Sequence, residues 1–167
     1  MVTRLSSTYQ APPLTSEEVE SMLKASRYAR VCTHNKDGTI HAVPVAYGYV
    51  NGQILIMSFI KSRKNKNIER NNNVTVLIDT LNPVTRGVII YGTAHIEYEN
   101  VYEQVLKINE TSPAFSGMTK EKLQLVTKAY VDTWRMVILK ISPKHFVTFD
   151  YAKDEAWNNF LKTYFTK

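Results

Sequence analysis

The sequence of 167 residues contains one cysteine, Cys32, and no long apolar run. A single cysteine excludes an internal disulfide and any multi-cysteine metal site. Cys32 lies in the apolar run Tyr28–Thr33, a setting more typical of an inert buried thiol than of a nucleophile. A membrane-spanning helix needs about 20 apolar residues, and residues 1–15 lack the apolar core of a signal peptide. We therefore expect a cytoplasmic protein with no membrane segment.

The common metal-binding and catalytic motifs are also missing. The four histidines stand far apart, and the sequence has no HxH, HExxH or His/Cys pair, so we predict no metal site. It has no GxSxG elbow, no Walker loop and no GxGxxG segment after a strand. No residue stands out as a general acid or base, and the catalytic residues stay unassigned.

What the sequence does have is positive charge concentrated in one segment. The net charge is +6 and the pI is about 9.3. Five cations against one acid, Glu69, give +4 of that +6 between residues 61 and 70; the cations are Lys61, Arg63, Lys64, Lys66 and Arg70. This balance permits nucleic-acid or phosphate partners but does not choose between them.

The alternation of apolar residues predicts a mainly β, α+β fold. Residues 1–13 contain Pro12-Pro13 and no periodicity and are predicted to form an arm, and residues 14–167 to form one domain. Strands are predicted over 28–34, 39–50, 53–59, 73–79, 86–97 and 135–142, with a short further strand over 145–150 after Pro143. Helices are predicted from Thr15, after Lys61, and over about 100–109, 119–132 and 154–165. Strands joined by short hairpins favour a six-stranded antiparallel split barrel with flanking helices.

Two residues inside predicted strands carry extra information. Pro44 is unsuited to a central ladder position, so it indicates an edge, a bulge or a backbone that faces a ligand. Gly92 is the expected bulge that lets the barrel curl.

The segment around Ser62 predicts an anion site. A strand over 53–59 delivers Ser62-Arg63-Lys64 to the first turn of a helix. Free backbone N–H groups and the positive end of the helix dipole point outward there, and two cations add charge and directional donors. The competing interpretation is a basic helix whose charges are simply solvated.

The ordered motifs resemble those of a known family. They are Leu14-Thr15-x-Glu17 before a helix, Asp37-Gly38, the run His41–Val45, Met57-Ser58, the Ser62–Lys64 segment with Asn67-Ile68-x-x-Asn71, and Val88–Gly92. Together they are similar to the pyridoxamine-phosphate-oxidase-like, FMN-binding split-barrel family over roughly residues 14–150.

The resemblance implies a flavin site and a homodimer. In that family the segment similar to residues 41–46 lays its backbone against the flavin, positions 57 and 58 contact the ring and its side chain, and positions 63 and 64 bind the phosphate. Each flavin lies between subunits, and by analogy Trp134 reaches the site from the partner. The implied cofactor-binding residues are His41, Val43, Pro44, Val45, Ala46, Met57, Ser58, Phe59, Ser62, Arg63, Lys64 and Trp134.

Departures from the family pattern argue against vitamin oxidase activity. The Arg-x-His-type motif that grips the substrate is missing, because the matching region reads Asp150-Tyr151-Ala152-Lys153-Asp154. A relative that acts on another small molecule is expected, with FMN as the cofactor and FAD, a deazaflavin coenzyme or haem as alternatives. A small nucleic-acid-binding barrel is the interpretation from another class, but the cations cluster at one helix start instead of lining a groove.

Overall fold

The computed structural model describes residues 11–81, 84–112 and 115–165. The strands in these ranges are β1 (Tyr28–His34), β2 (Ile40–Val50), β3 (Gln53–Phe59), β4 (Asn73–Thr80), β5 (Arg86–Glu97) and β6 (Met136–Asp150). The helices are α1 (Ser16–Ala25), α2 (Arg63–Arg70), α3 (Val101–Thr111), α4 (Lys120–Trp134) and α5 (Glu155–Phe165). None of these helices combines the length and the apolar character that crossing a membrane requires. Most of the predicted N-terminal arm, residues 1–10, lies outside the described residues.

The strands form a closed barrel in the order β1-β2-β3-β6-β5-β4, with β4 returning to pair with β1. Every pairing is antiparallel. The helices precede, separate or follow the strands along the chain. The prediction of an α+β fold with a six-stranded antiparallel barrel is therefore confirmed.

Alternate residues of each strand fill the barrel interior. In β4, Val74, Val76 and Ile78 are buried while their neighbours are half-buried or exposed, as the two-residue period of a strand requires. They join one core cluster with residues from the other strands. A second, smaller cluster, made of Leu55, Val105, Ile108 and Ile138, packs α3 against β3 and β6.

The longest strand differs from its prediction. Residues predicted as two strands around Pro143 form the single strand β6, so the predicted stop at Pro143 is wrong. The β5–β6 register shifts between Tyr91 and Gly92, where Gly92 pairs with Pro143. The shift interrupts the ladder at the place where Pro143 has no N–H to donate, and bulges are where strands tolerate proline.

The same irregularity confirms a bulge beside Gly92, with the extra residue, Lys144, on β6. A Cβ atom on Gly92 would lie 2.4 Å from the carbonyl oxygen of Ser142. Only glycine allows the two backbones to approach so closely.

Helix α1 begins as predicted and closes one end of the barrel. Thr15 and Glu18 form a reciprocal capping box, which satisfies two backbone N–H groups of the first turn. Met22 and Leu23 of α1 are buried in the barrel core. The preceding residues are attached to β6, since the Leu14 backbone N–H donates to Thr148 Oγ1 at 3.0 Å.

Candidate functional site

The candidate site begins where β2 and β3 separate. Their ladder ends at the pair of Tyr47 and Ile56. Before Tyr47, β2 pairs with β1, and after Ile56, β3 pairs with β6. Within the described ranges, residues 40–46 of β2 therefore have a strand neighbour on one side only. Pro44 lies in this one-sided stretch, so the edge position that its missing N–H indicated is confirmed.

The side chains of this stretch are divided between the core and the surface. Val45 is buried and Val43 packs partly against the core, while Pro44 is exposed. The His41 side chain is half-buried, and its carbonyl oxygen accepts a long hydrogen bond of 3.5 Å from Thr33 Oγ1. Because the side chains of the two valines face inward, a ligand beside this edge would contact their backbone atoms.

A buried hydrogen-bond network holds the corner between β3 and α2. Ser58, which is 1% exposed, donates to Asn65 Oδ1 at 2.7 Å and lies 3.0 Å from Ser62 Oγ. Asn65 Nδ2 donates to the carbonyl oxygens of Phe59 and Ile60 at 3.0 and 3.3 Å. Ser58 therefore positions the corner, and its contact with a ring stays a prediction.

The first turn of α2 is left without a side-chain cap. Ser62 stands at the N-cap position but makes no capping hydrogen bond; its hydroxyl lies within hydrogen-bond distance of Ser58 instead. The first N–H groups of a helix have no intrahelical partner. An uncapped first turn is a site where an anion can accept from backbone N–H groups and meet the positive end of the dipole.

The two cations predicted to bind phosphate have different surroundings. Arg63 is exposed, while Lys64 is half-buried, and burial lowers the pKa of Lys64 below its ordinary value. In the described part of the chain neither side chain is held in an ion pair. Both charges remain available to an anion.

Arg63 faces an open cavity of about 720 Å³, which we name the basic cavity. Arg63, Lys66, Asn67 and Arg70 line it from one face of α2, as positions i, i+3, i+4 and i+7 of a helix do. Lys64 does not line this cavity, so the structure assigns the predicted pair to different faces of the helix. The complete lining is Asn35, Lys36, Asp37, Lys61, Arg63, Lys66, Asn67 and Arg70.

Sequence reasoning missed the hairpin side of the basic cavity. Asn35 and Lys36 lie between the strands predicted over 28–34 and 39–50 and were given no role in a site, yet they line it. Asn67, 3% exposed, explains their position, because its Nδ2 donates to Thr33 Oγ1 and Asn35 Oδ1, each at 3.0 Å. The available signal was Lys36 itself, a cation in the turn of the first hairpin.

Asp37 is the single carboxylate that lines the basic cavity. Hydrogen bonds from the hydroxyl and the backbone N–H of Thr39 lower the pKa of Asp37, and the nearby charge of Arg63 adds a smaller effect in the same direction. Asp37 is therefore ionised at neutral pH, and its charge is outnumbered by five cations of the lining.

A second cavity, of about 250 Å³, lies where the two strands part, and we name it the aromatic cavity. It brings together two predicted site residues, Ala46 of β2 and Met57 of β3. Helices α3 and α4 supply much of its wall, which sequence reasoning missed. The lining is Arg27, Tyr28, Ala46, Tyr47, Met57, Ile108, Asn109, Ser112, Phe115, Val126 and Tyr130.

Tyr47 fixes the inner wall of the aromatic cavity. It is 3% exposed, and its hydroxyl donates to the carbonyl oxygen of Leu23 at 2.7 Å. Burial raises the pKa of Tyr47 far above its ordinary value. The phenol therefore stays protonated and bound to the α1 end of the barrel, which suits a structural role.

Trp134 and Phe59, the last two predicted residues, lie close together on the surface. Their ring centroids are 6.5 Å apart, and Trp134 also packs on Tyr130 at 4.6 Å. The backbone N–H of Ile60 donates to the carbonyl oxygen of Arg135 at 3.1 Å, which ties the end of α4 to the corner after β3. That Trp134 reaches the site of a partner subunit stays a prediction.

Comparison with known proteins places the chain in a family. A family model described as Pyridoxamine 5'-phosphate oxidase matches residues 15–135. No curated protein sequence matches the chain.

Solved structures share the fold at low sequence identity. A conserved hypothetical protein from Mycobacterium tuberculosis has a TM-score of 0.74 and 21% identity, covering 86% of this chain and 91% of its own. A FAD-binding protein from Mesorhizobium loti has a TM-score of 0.57 and 18% identity, covering 82% and 95%. An F420 reductase has a TM-score of 0.59 and 20% identity, covering 80% and 98%.

The family match spans most of the barrel, including the separation of β2 from β3 and the α2 corner. The chain belongs to the pyridoxamine 5'-phosphate oxidase family.

Proposed function

We propose that this protein binds a flavin, with FMN as the preferred form, and acts as an oxidoreductase on a small molecule. The observation that carries the proposal is the uncapped first turn of α2, with Arg63 and Lys64 beside it and no ion pair to either one in the described residues. The same helix is tied by Asn67 to Thr33 of β1, and Thr33 pairs with His41 in the one-sided stretch of β2.

The residues fit a phosphate group on chemical grounds. Burial disfavours the charged form of Lys64, and a bound dianion would offset that cost by direct attraction. Arg63 offers a planar fork of N–H donors, the geometry that suits phosphate oxygens. The remaining cations of the basic cavity, including Lys61 and Lys66, raise the local concentration of anions.

The other predicted residues would hold the ring of the flavin. Residues 41–46 offer backbone groups along an edge without a second strand, and Ala46 and Met57 offer apolar surface. Ser58 would keep the corner in place through Asn65. When bound, the flavin supplies hydride or electron transfer, and these residues bind it, orient it and exclude water.

The relatives support a flavin-type cofactor without choosing its form. One structural relative is named FAD-binding and another F420 reductase. FMN is proposed here because its terminal phosphate matches the Ser62–Lys64 corner, while FAD, a deazaflavin coenzyme and haem are the alternatives. An absorption spectrum of the purified protein separates a flavin from a deazaflavin coenzyme and from haem, because these three classes absorb at different wavelengths.

The test of the proposal is FMN binding by Lys64→Ala. One charge-assisted hydrogen bond contributes about 1.5–3 kcal/mol, so the variant is expected to bind FMN at least about tenfold more weakly. Affinity is measured by quenching of flavin fluorescence in a titration of the apoprotein. Unchanged affinity in Lys64→Ala would remove the phosphate assignment.

A matched control separates the phosphate contact from general charge. Lys122 is an exposed lysine of α4 that lines neither of the two cavities. Lys122→Ala removes the same charge from the protein and is expected to leave FMN affinity within twofold or so, since exposed charges at a distance are screened by salt.

The basic cavity also supports a test of the nucleic-acid alternative. Single-stranded oligonucleotides would bind with a log–log salt slope of about −0.7 per neutralised phosphate. The cations surround one cavity at the α2 corner instead of following a groove. We therefore expect no measurable oligonucleotide binding at low salt, and tight, salt-sensitive binding would favour the alternative.

We also propose a homodimer. Phe59, Trp134 and several aromatic residues of α5 are large apolar side chains that are exposed in the single chain, and exposed apolar surface of this kind marks association sites. Sedimentation equilibrium is expected to give twice the chain mass of 19.2 kDa. A monomer at micromolar concentration would contradict this proposal without affecting FMN binding.

A further inference from the structure

One of the residues that line the aromatic cavity has a buried polar atom without a hydrogen-bond partner. Asn109 of α3, which lines the cavity, is 3% exposed, and its Oδ1 has no hydrogen-bond partner. Among the described residues it is the one buried side-chain nitrogen or oxygen atom in this state. Buried acceptors without a partner are costly and rare in native proteins, so each one requires an explanation.

The other end of the same amide is firmly held. Asn109 Nδ2 donates to Thr127 Oγ1 of α4 at 2.9 Å, and Thr127 is fully buried. This hydrogen bond fixes the orientation of the side chain between two helices. The free oxygen is therefore held in place as an acceptor, as a recognition group must be.

The size and the lining of the aromatic cavity restrict which ligands could donate a hydrogen bond to Asn109 Oδ1. An apolar cavity of about 150 Å³ holds benzene, and this one measures about 250 Å³. Drug-sized ligands occupy about 300–1,000 Å³. The space therefore suits one substituted aromatic ring. Tyr28, Phe115 and Tyr130 offer ring surfaces to it.

The charge of the lining further restricts the class of ligand. Within the described part of the chain, no aspartate or glutamate lines the cavity, and one cation, Arg27, does. An ammonium group would meet repulsion from Arg27 and find no carboxylate to pair with. The lining thus disfavours cationic ligands and accepts neutral or anionic ones.

We propose that the aromatic cavity binds a small, non-cationic aromatic substrate whose hydroxyl or N–H group donates to Asn109 Oδ1. Its role as substrate rests on the proposed flavin function, because Ala46 and Met57 belong to the cavity and to the predicted ring contacts alike. The ring of the substrate then lies against the same strand ends as the flavin.

The first experiment compares two probes in the protein without flavin. Phenol has the required donor, whereas anisole is its methyl ether and has none. NMR titration should give about tenfold tighter binding of phenol, the difference that one hydrogen bond makes. Equal affinities, or no binding of phenol, would overturn the proposal.

Two variants assign the difference to the cavity. The double variant Asn109→Leu/Thr127→Val replaces both hydrogen-bond partners with apolar groups of similar shape, a change that proteins tolerate well. It should bind phenol and anisole equally, and a surviving preference for phenol would contradict the role of Asn109. Val126→Phe fills the cavity from α4 and should weaken both probes at least tenfold, whereas unchanged binding would place the probes elsewhere.

A second experiment separates this inference from the flavin proposal. Phenol is titrated into FMN-loaded protein, and a saturable shift of the flavin absorption band is expected, with the affinity that NMR gives. Phenol binding with no such shift would overturn the substrate role, although FMN binding would stand. Failure of FMN to bind at all would overturn the flavin proposal and the substrate role together. The affinities of phenol and anisole would then still show whether the aromatic cavity is a binding site.

Discussion

Met57, before the corner between β3 and α2, lines the aromatic cavity, and Lys61 and Arg63, after it, line the basic cavity. The two cavities differ in almost every physical property. The basic cavity is broad and open, and five cations line it. The aromatic cavity has about a third of that volume, and aromatic and aliphatic side chains make up most of its lining. One is formed by a helix face and a hairpin turn, the other by strand ends and two helices.

This difference suggests how a flavin and its substrate would be divided between the two sides of the corner. A phosphate needs charge and free N–H groups and tolerates water, so an open helix end suits it. An aromatic ring needs apolar contacts and exclusion of water, which a smaller space between packed elements provides. The Ser58–Asn65 hydrogen bond fixes the corner that separates these two environments.

The largest expected effect tests whether the basic cavity contributes to FMN binding only through the phosphate group. Arg63→Glu removes a donor and places a negative charge beside the phosphate. We expect FMN affinity to fall by about 100-fold, the value of one charge-assisted hydrogen bond plus repulsion. Riboflavin, which has the same ring and no phosphate, should bind the variant and the parent protein alike in fluorescence titrations.

The charge change itself is controlled with Lys122→Glu, at an exposed position of α4 outside both cavities. This control should leave FMN affinity nearly unchanged. Equal losses of FMN and riboflavin in Arg63→Glu would show that Arg63 does not act through the phosphate of FMN.

The next effect concerns the corner between the cavities. Ser58→Ala leaves the buried Oδ1 of Asn65 without its donor, and an unsatisfied buried acceptor costs about 1–3 kcal/mol. Urea denaturation should therefore show a lower free energy of unfolding and weaker binding in both cavities. Ser21→Ala, on the exposed face of α1, is the control and should change stability by less than about 0.5 kcal/mol. A stable variant that lost binding in one cavity alone would contradict a shared corner.

A smaller effect is expected from pH. Burial lowers the pKa of Lys64 below 10.5, so Lys64 loses its proton earlier than an ordinary lysine as the pH rises. FMN affinity should fall over that interval by less than in Lys64→Ala, because the neutral amine loses its charge but can still donate a hydrogen bond. Riboflavin affinity should not follow this decline, because no phosphate is present.

A rise in pH has the opposite effect on stability to its effect on FMN affinity. The folded protein binds fewer protons at Lys64 than the unfolded chain does, so the free energy of unfolding should rise with pH between the lowered pKa and 10.5. Lys64→Met should abolish both the fall in affinity and this rise. Persistence of either trend in Lys64→Met would assign it to another group.

The smallest expected effect acts on the aromatic cavity. A Cβ atom on Gly48 would lie 3.0 Å from Ile108 Cγ1 and 3.1 Å from its Cα. Gly48→Ala should therefore push α3 outward and cost about 1 kcal/mol of stability, the low end for an overpacked site. Phenol affinity should change while the affinity difference between FMN and riboflavin stays constant. A change in that difference would mean that α3 also affects the phosphate side.

Local chemistry made much of the fold predictable. The helix start at Thr15 and the bulge beside Gly92 depend on a few adjacent residues, and both predictions are confirmed. Pro143 misled the prediction of β6, because a proline ends a strand only where its N–H is needed. Whether it is needed depends on the register of the partner strand, which the local sequence does not contain.

The candidate site was less predictable, for two physical reasons. Adjacent helix residues point in directions about 100° apart, so Arg63 and Lys64 reach different surroundings although the sequence presents them as a pair. The aromatic cavity depends on the packing of α3 and α4 against the strands, a long-range property. Its one local signal was Asn109, a polar residue on the buried face that Val105 and Ile108 share.

The one-sided stretch of β2 has a consequence for the behaviour of the protein at high concentration. An open strand edge is a template on which another molecule can add a strand, and such addition leads to aggregation. Pro44 interrupts the row of donors in the middle of that edge, so an incoming strand cannot complete a regular ladder. Pro44 therefore leaves room for a small ligand and also protects this edge of β2 from strand addition by other molecules in a crowded solution.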